Sequence, residues 1–268
     1  MKKIIALTLA LLLTLACFAG CAAKPAAGGA ASKGLIVVGY TLYAPMNYEE
    51  NGELVGFDTE LAKAVFEGMG YTVRFEQIEW SNKYTDLASG TIDCIWNGFT
   101  CNSTESDGTA RADLVDFSYM YMENYQFVVV NKNSGITSLA DLNGKIGGAE
   151  KGSAGEEFGK AIEGATMKEY IKQTDCLMDV NTGAIDFAVV DALLTRSYVG
   201  KGDYTDLMVV ENENVEKEFY AIGFSKGSEL TAEVNAMLEK LAADGTIAKL
   251  AEKYNVSDTV ITDYASQK

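Results

Sequence analysis

The segment Tyr84–Gly98 reads YTDLASGTIDCIWNG, and a related pattern returns at Leu177–Asp191 as LMDVNTGAIDFAVVD. Aligned without a gap, the two segments share these pairs: Asp86 with Asp179, Gly90 with Gly183, Ile92 with Ile185 and Asp93 with Asp186. Each segment runs from a helix-like stretch to a glycine, a common helix stop, and then to an apolar run typical of a buried strand. A chain that repeats this unit is predicted to fold into two similar lobes. A chance match of a short pattern is the alternative.

Strand-like and helix-like segments alternate along the whole chain. Strands are predicted at 34–40, 71–78, 92–98, 126–132, 145–150, 166–171, 185–191 and 218–225. Helices are predicted at 59–69 with Asp58 as the N-cap, at 82–89, after Ser138, at 153–162, before Gly183, at 229–243 and at 246–254. This alternation predicts an α/β fold with mostly parallel sheets. Ligands of such sheets bind beyond the carboxyl ends of strands, so we expect Asn97-Gly98 and Asp191 to face each other across a cleft.

Length and charge limit the fold and the partners. With 268 residues, 48% of them hydrophobic, the chain can bury a full core and has the size at which one core often divides into two. The formal charge of −16 argues against nucleic acid or an anionic membrane surface as a direct partner. The absence of histidine excludes Ser–His and Cys–His catalysis and removes the commonest zinc ligand. Neither a metal nor another cofactor is expected.

The N-terminus has the pattern of an export signal. Two lysines precede an apolar run at 4–18 that is too short to span a bilayer, and Ala-Gly-Cys follows at 19–21. A cysteine directly after Ala-Gly resembles the lipobox of bacterial lipoproteins, although Phe18 stands where that motif usually has leucine. We therefore predict a signal peptide at 1–20 and a lipid-modified Cys21 with a flexible tether at 21–33. A plain secretory signal, or lipidation at Cys17, is the alternative.

Beyond the signal and the predicted lipid-modified Cys21, three cysteines remain: Cys94, Cys101 and Cys176. Their number is odd and they form no C-x-x-C motif, so neither metal binding nor redox chemistry is expected. Cys94 lies in an apolar run and is expected to pack as a small hydrophobe, while a disulfide between Cys94 and Cys101 is left open.

Six segments, in this order, resemble the extracellular solute-binding proteins of bacterial ABC amino-acid importers. They are GELVGFDTELA (52–62), GTIDCIWNGFT (90–100), RADLVDFS (111–118), EKGSAGEEF (150–158), GAIDFAVVD (183–191) and LAADGTIAKLAEKY (241–254). The resemblance covers nearly all of 34–256. It implies a two-lobed, type II periplasmic-binding-protein fold in which two crossover strands act as a hinge. Lobe 1 would comprise 34–122 and 222–268, lobe 2 would comprise 123–221, and the crossovers would lie near 123–127 and 218–222.

The resemblance also implies a receptor that holds an L-amino acid between its lobes and delivers it to a membrane permease and its ATPase. Such a protein would be an exported monomer, anchored by lipid at the outer face of the cytoplasmic membrane. An exported dehydratase of cyclohexadienyl type on the same fold is one alternative, and a lipoprotein that senses a ligand without importing it is another.

The expected site for the ligand carboxylate is centred on Arg111, whose guanidinium offers two parallel donors. By resemblance, Thr100 adds a hydroxyl, and Ser153 and Ala154 add the N–H groups of a helix start, which is a ready anion site. The sequence departs from the family pattern here, because an insertion, CNSTESDGT at 101–109, separates Thr100 from Arg111. A solvated surface arginine is therefore the alternative, and helix or strand capping is the alternative for the other three residues.

The resemblance places Asp191 opposite the ligand ammonium group, because a carboxylate supplies both acceptors and the opposite charge. The carbonyl of Gly98 is a second expected acceptor. Tyr43 and Trp80 match the aromatic pair that encloses the ligand side chain, where ring faces contribute apolar area and cation–π attraction. A helix cap for Asp191 and core packing for the two aromatic residues are the alternatives.

Side-chain selectivity depends on two further positions. Relatives that bind basic amino acids often carry an acid at the position of Tyr40, so a tyrosine there favours a neutral or polar L-amino acid. Asn97 offers both a donor and an acceptor at the expected floor of the site. Glu79 or Glu150 could supply an acid instead, although either is more often a solvated surface charge.

Overall fold

A computed structural model describes residues 32–210 and 215–268. Residues 32–268 belong to one compact unit. The predicted signal peptide, Cys21 and nearly all of the predicted tether lie outside the described residues. Within the described residues no helix is both long and apolar enough to cross a bilayer. Cys94, Cys101 and Cys176 are free thiols.

The strands are β1 Leu35–Tyr40, β2 Tyr48–Glu50, β3 Glu53–Val55, β4 Thr72–Gln77, β5 Cys94–Ile95, β6 Asp116–Phe117, β7 Met122–Asn124, β8 Gln126–Asn131, β9 Ile146–Glu150, β10 Thr166–Tyr170, β11 Phe187–Asp191, β12 Leu207–Val210, β13 Glu218–Tyr220 and β14 Gly223–Phe224. The α-helices are α1 Phe57–Gly68, α2 Lys83–Ser89, α3 Arg111–Leu114, α4 Ala154–Lys160, α5 Gln173–Thr182, α6 Ala192–Tyr198, α7 Leu230–Ala243 and α8 Thr246–Lys253. Short 3-10 helices cover Trp80–Asn82, Leu139–Leu142, Gly202–Tyr204 and Ala265–Gln267.

Two five-stranded sheets organise the molecule, and we call the parts built on them lobe 1 and lobe 2. The order is β4-β1-β5-β14-β6 in lobe 1 and β10-β9-β11-β8-β12 in lobe 2. In each sheet the first three strands are parallel, while the fourth runs antiparallel to both of its neighbours. The fifth strand again runs with the first three, so four of the five strands in each sheet share one direction and the expectation of mostly parallel sheets is confirmed.

The repeated segments occupy equivalent places in the two lobes. Helices α2 and α5 end at Gly90 and Gly183, whose backbones are left-handed with φ, ψ of 74°, 17° and 77°, 17°. Glycine suits both positions because it adopts this conformation without the steric cost of a Cβ atom. Each lobe therefore ends its repeated helix in the same way, with a glycine in the left-handed conformation.

The aspartates of the repeat also make equivalent contacts. The carboxylate of Asp93 accepts a hydrogen bond from the Val37 N–H at 2.7 Å, and that of Asp186 accepts one from the Ile146 N–H at 2.8 Å. Each aspartate returns its own N–H to the carbonyl of the same partner, at 2.8 Å in both lobes. Each aspartate therefore ties the repeated segment to the neighbouring parallel strand, so the sequence repeat corresponds to a structural one and not to chance.

Two short strands connect the lobes. β7 pairs with β13 antiparallel, from Met122 opposite Tyr220 to Asn124 opposite Glu218. β7 leads directly into β8 of lobe 2, and β13 leads back to β14 of lobe 1. These positions overlap the predicted crossovers, while the exact lobe limits stay a prediction.

Three local predictions differ from the structure. Helix α1 begins at Phe57 after Gly56, so Asp58 is not the cap; its buried carboxylate accepts from the Gly98 N–H and the Tyr121 hydroxyl instead. β5 is limited to two residues, because the chain beyond it turns toward the cleft. The predicted strand at 218–225 divides into β13 and β14, since one part belongs to the hinge and the other to the sheet.

Candidate ligand-binding site

A narrow cavity lies between the lobes, beyond the ends of β5 and β11. Its walls are formed by Tyr43, Trp80, Asn97, Gly98, Thr100, Arg111, Glu150, Ser153, Ala154, Gln173 and Asp191. Every predicted ligand-binding residue except Tyr40 is among them. The free space is about 10 Å³, close to what a single water molecule requires. The lobes are therefore in a closed arrangement.

Arg111 stands at the start of α3 and is only 1% exposed. Its Nε donates to the Glu105 carboxylate at 2.9 Å. Its terminal nitrogens donate to two backbone carbonyls, that of Thr100 in its own lobe and that of Gly152 in lobe 2, each at 3.2 Å. The insertion has therefore not carried the guanidinium away from the cleft, and its terminal donors bridge the two lobes.

Lys83 is a second buried cation at this end of the cavity, and its sequence context did not predict this position. It is 1% exposed, lies 3.5 Å from the Glu105 carboxylate and donates to the Gly152 carbonyl at 3.0 Å. Its Nζ lies 5.1 Å from the centre of the Trp80 ring. Burial, followed by the neighbouring charge of Arg111, lowers the pKa of Lys83 to about 8. Lysine is ordinarily exposed, so only the fold could place it here.

The start of helix α4 lies across the cleft from these cations. The Ser153 hydroxyl caps the helix by accepting from the Glu156 N–H at 3.1 Å. The Glu156 carboxylate returns the contact by accepting from the Gly152 N–H at 2.6 Å. This reciprocal cap fixes the turn that carries Ser153 and Ala154 against the cavity and explains why the sequence Gly-Ser opens a helix here.

Asp191 ends β11 at the opposite side of the cavity and is 7% exposed. Its carboxylate accepts from neutral donors only: Asn124 at 2.7 Å, Gln126 at 2.8 Å, Tyr220 at 2.9 Å, and Gln173. Burial raises the pKa of Asp191 despite these hydrogen bonds. Across residues 32–210 and 215–268, no lysine or arginine forms an ion pair with it. The site thus holds a carboxylate without a cation.

Two further acids lie close to Asp191. Glu150 lines the cavity and is 4% exposed; burial, followed by the charge of Asp191, raises its pKa to about 8. Glu218, in hinge strand β13, accepts hydrogen bonds from Asn124 and Gln126, and the same two causes raise its pKa to about 7. Lobe 2 and the hinge therefore form an acidic end that is short of positive charge.

Gln173 is a cavity residue that sequence reasoning missed. Its amide nitrogen donates to the Asp191 carboxylate, and its carbonyl oxygen accepts from the Asp191 N–H at 2.9 Å. It begins α5, one of the repeated helices, and in the gap-free alignment of the repeat it falls on Trp80, which also lines the cavity. Extending that alignment toward the N-terminus could have drawn attention to Gln173.

Three more of the predicted residues, two aromatic side chains and one amide, form part of the cavity wall. Tyr43 and Trp80 line the cavity; the Tyr43 hydroxyl contacts the Tyr220 hydroxyl at 2.9 Å, and the Trp80 ring meets Phe99 edge-on. Asn97 also lines it, but its amide is engaged by Thr41 and Asn47 within lobe 1.

Tyr40 is not brought to the cavity. It is buried in β1 with its ring edge-on to Phe75, at a centroid distance of 6.2 Å. The reading of ligand selectivity from this position therefore has no support in the geometry.

These features define a two-lobed α/β solute-binding protein with cations on one side of its cleft and acids on the other. Residues 35–257 match the bacterial extracellular solute-binding proteins, family 3, and the chain belongs to that family. The type II fold with a ligand cleft between lobes is the one expected from the sequence.

The relatives of the chain include proteins that bind several amino acids. The arginine-binding extracellular protein ArtP of Bacillus subtilis is 31% identical over 257 residues, which cover 95% of this chain and 98% of ArtP. The structure of an ancestral arginine-binding protein bound to arginine is 33% identical, with a TM-score of 0.75 over 83% of this chain and 98% of that one. A substrate-binding protein from Streptococcus pneumoniae with bound histidine is 31% identical, with a TM-score of 0.73 over 82% and 92% of the two chains.

Proposed function

We propose that this chain captures a free L-amino acid between its lobes and delivers it to the permease and ATPase of an ABC importer. The observation that carries this proposal is the position of Arg111 and Asp191, which belong to different lobes and line one cavity. A free amino acid presents a carboxylate and an ammonium group on one carbon. Burying both groups requires complementary charges and hydrogen bonds, since desolvation otherwise prevents binding.

The carboxylate would bind at the Arg111 end. The terminal nitrogens of Arg111 donate to two backbone carbonyls, and the ammonium of Lys83 donates to one of these while it lies 3.5 Å from Glu105. A carboxylate is a stronger acceptor for these charged donors than a neutral carbonyl is. We infer that the ligand takes over these donors, so that the lobes are held together through it.

The ammonium group would bind at the Asp191 end, beside the carbonyl of Gly98. Asp191 has four neutral donors and no cation among the described residues, so a ligand ammonium would supply the missing charge. Because only the closed arrangement surrounds the ligand from both lobes, binding would shift the molecule toward closure.

We propose a basic side chain for the ligand, in place of the neutral or polar one suggested by Tyr40. Glu150 lines the cavity, whereas Tyr40 does not. With Asp191 assigned to the ammonium group, Glu150 is left as a second buried acid, which favours a cationic or strongly donating ligand side chain. The arginine-binding relatives support this choice.

Room for a longer side chain exists beside Trp80. A second cavity of about 220 Å³ shares Trp80 as a wall and is lined by Glu79, Tyr170 and Ile171, together with the ion pair of Glu169 and Lys151. Aromatic and apolar surface next to acids suits the stem and the charged end of a basic side chain.

A thermal-shift scan of residues 32–268 tests the proposal, because a ligand that binds only the folded state raises the melting temperature. The panel holds all L-amino acids, several D-forms, and small acids and amines. We expect the largest shifts with arginine and lysine, and none with des-amino analogues. If no compound raises the melting temperature, the scan is repeated on protein that has been unfolded, dialysed and refolded to remove a retained ligand. An unchanged melting temperature there would contradict the amino-acid receptor.

We further propose that the chain is not an enzyme, is exported as a monomer, and is held at the outer face of the cytoplasmic membrane by a lipid on Cys21. Its relatives named above are binding proteins. Mass spectrometry of the mature N-terminus tests the anchor: a lipid on Cys21 is expected, and its loss in Cys21→Ser should release the protein from membranes. Turnover of a cyclohexadienyl acid would instead establish the dehydratase.

A further inference from the structure

The inserted loop at 101–109 brings an acidic side chain to the cation end of the cavity. One oxygen of Glu105 accepts from the Arg111 Nε at 2.9 Å and from the Tyr84 hydroxyl at 2.6 Å. The same oxygen lies 3.5 Å from the Lys83 Nζ. Glu105 is 19% exposed, whereas both cations are almost completely buried. The insertion therefore supplies the counter-ion of the two charged donors.

This loop is a braced hairpin. Thr104 pairs with Ala110 across its base, and the Glu105 N–H donates to the Thr109 carbonyl at 2.8 Å. Asn102 ties it to the hinge strand by accepting from the Phe219 N–H at 2.9 Å and donating to the Lys217 carbonyl at 3.0 Å. With its backbone fixed at both ends, the loop can hold the Glu105 side chain in one position.

The charge balance at this end shows what Glu105 does. Lys83 and Arg111 repel each other, and that repulsion adds to burial in lowering the pKa of Lys83 to about 8. The charges that face Lys83 are those of Arg111 on α3, Glu105 on the loop and Glu150 at the end of β9; the two acids raise its pKa. Without Glu105, Lys83 would lose its proton more readily and Arg111 would lose the partner of its Nε.

We propose that Glu105 is a positioning residue for the carboxylate of the ligand. It fixes the Nε edge of Arg111, so that the two terminal nitrogens remain available in the cleft, and it keeps Lys83 charged beside them. Two cations against one carboxylate leave a net charge of +1 for the incoming ligand. This inference rests on the proposed amino-acid function for its ligand, but the contact itself can be tested without one.

The experiment compares Glu105→Gln with Asp107→Asn in residues 32–268. Asp107 lies in the same loop, so its variant removes the same charge without touching either cation, and asparagine keeps the oxygen that accepts from the Thr109 N–H. NMR of ¹³C-lysine-labelled protein, with the Lys83 signal assigned by its loss in Lys83→Met, follows the titration of Lys83 in the absence of ligand. Calorimetry at several pH values then measures the affinity for arginine.

We expect Glu105→Gln to lower the pKa of Lys83 and to weaken binding about 30-fold, as when a buried charged group loses its partner. The affinity should begin to fall at a lower pH than in the wild type, whereas a merely structural loss would weaken binding equally at every pH. Glu105→Asp should restore part of both properties. Asp107→Asn should leave both unchanged.

An unchanged Lys83 titration in a folded Glu105→Gln protein would overturn the proposal, as would an affinity equal to that of Asp107→Asn. If Glu105→Gln fails to fold, Glu105→Asp takes its place in both measurements, and an unaltered titration and affinity there would also overturn it. If the wild type binds no amino acid while Glu105→Gln still lowers the pKa of Lys83, the ligand assignment fails but the contact stands.

Discussion

Lobe 1 and lobe 2 share a sheet order, a helix–glycine–strand unit and an aspartate brace, yet they present opposite charges to the cleft. Lobe 1 contributes Arg111 and Lys83, while lobe 2 contributes Asp191 and Glu150. The shared scaffold fixes where strands end, and the few residues placed there set the charge. Duplication of a fold thus accounts for the geometry of the site but not for its chemistry.

The two ends also differ in how their charges are compensated. At the lobe 1 end, Glu105 pairs with both cations before any ligand arrives. At the lobe 2 end, the described residues give Asp191 only neutral donors. The cation end is therefore preorganised, whereas the acid end depends on the ligand for its counter-charge.

The sharpest way to break this comparison is to remove one charge from each lobe. Arg111→Ala and Asp191→Ala should each weaken binding of the preferred amino acid about a hundredfold or more, since each leaves a ligand charge buried without a partner. Calorimetry on residues 32–268 gives the affinities. Lys33→Ala is the control, because Lys33 is exposed and pairs with Glu233 at the surface, away from the cavity. Normal binding by Arg111→Ala would show that the ligand carboxylate lies elsewhere.

A second variant sharpens the role of the acidic end. Glu150→Gln keeps the shape and one acceptor but removes the charge, so it should weaken binding of arginine and lysine about tenfold and alter that of glutamine much less. Competition between arginine and glutamine measures the ratio directly. Glu67→Gln, at an exposed position on α1 and outside both cavities, is the matched control. Equal losses for both ligands would contradict a charge-selective role.

Stability should fall as the pH rises from 5 to 8. Burial raises the pKa values of Asp58 to about 7, of Glu218 to about 7 and of Glu150 to about 8. The folded state therefore binds more protons than the unfolded state in this window, and the stabilisation present at low pH is lost as each group ionises. We expect the melting temperature to drop by about 5 °C between pH 5 and pH 8.

Variants assign this pH dependence to the two lobes. Asp58→Asn should remove the part that arises in lobe 1, and Glu150→Gln the part that arises at the cleft. Arginine should lessen only the second part, because its charge would favour the ionised form of Glu150. A melting temperature that rises over this range would contradict the assignment of these acids.

The smallest expected effect is on the free energy of unfolding, and it tests whether the helix ends at Gly90 and Gly183 are equivalent in the two lobes. Gly90→Ala and Gly183→Ala each place a side chain on a left-handed helix end where no atom beyond the adjoining residues lies within 4 Å of the new Cβ. Each should reduce the free energy of unfolding by about 1 kcal/mol through backbone strain alone. Chemical denaturation of residues 32–268 compares them. Clearly unequal losses would show that the two helix ends are not equivalent.

Much of this architecture could be predicted because it rests on local patterns. The repeat, its glycine stops and the alternation of strands and helices all correspond to local rules of backbone conformation and burial. Arg111 and Asp191 were identifiable because their segments, RADLVDFS and GAIDFAVVD, resemble those of the family and because their charges complement an amino acid. The closeness of these residues in the fold follows from the two lobes facing each other.

Other features depend on contacts that local patterns do not encode. Lys83 and Glu105 meet because a braced loop folds back onto α2, and each looks like a surface charge in the sequence. Asp58 resembles a helix cap, but its carboxylate is drawn into the core by Gly98 and Tyr121. Tyr40 follows the pattern of a cleft residue, yet its ring packs on Phe75. In each case the position of the side chain depends on a contact with a residue that is distant in the sequence.

The path of the chain through the two sheets has a consequence for synthesis. The strands of the lobe 2 sheet all come from the continuous stretch 126–210. The lobe 1 sheet combines strands from 35–117 with β14 at 223–224, which lies between β5 and β6. A chain growing from its N-terminus therefore has every strand of the second sheet before it can close the first. A chain truncated after residue 222 would contain every strand of the lobe 2 sheet, whereas its lobe 1 sheet would lack β14 between β5 and β6.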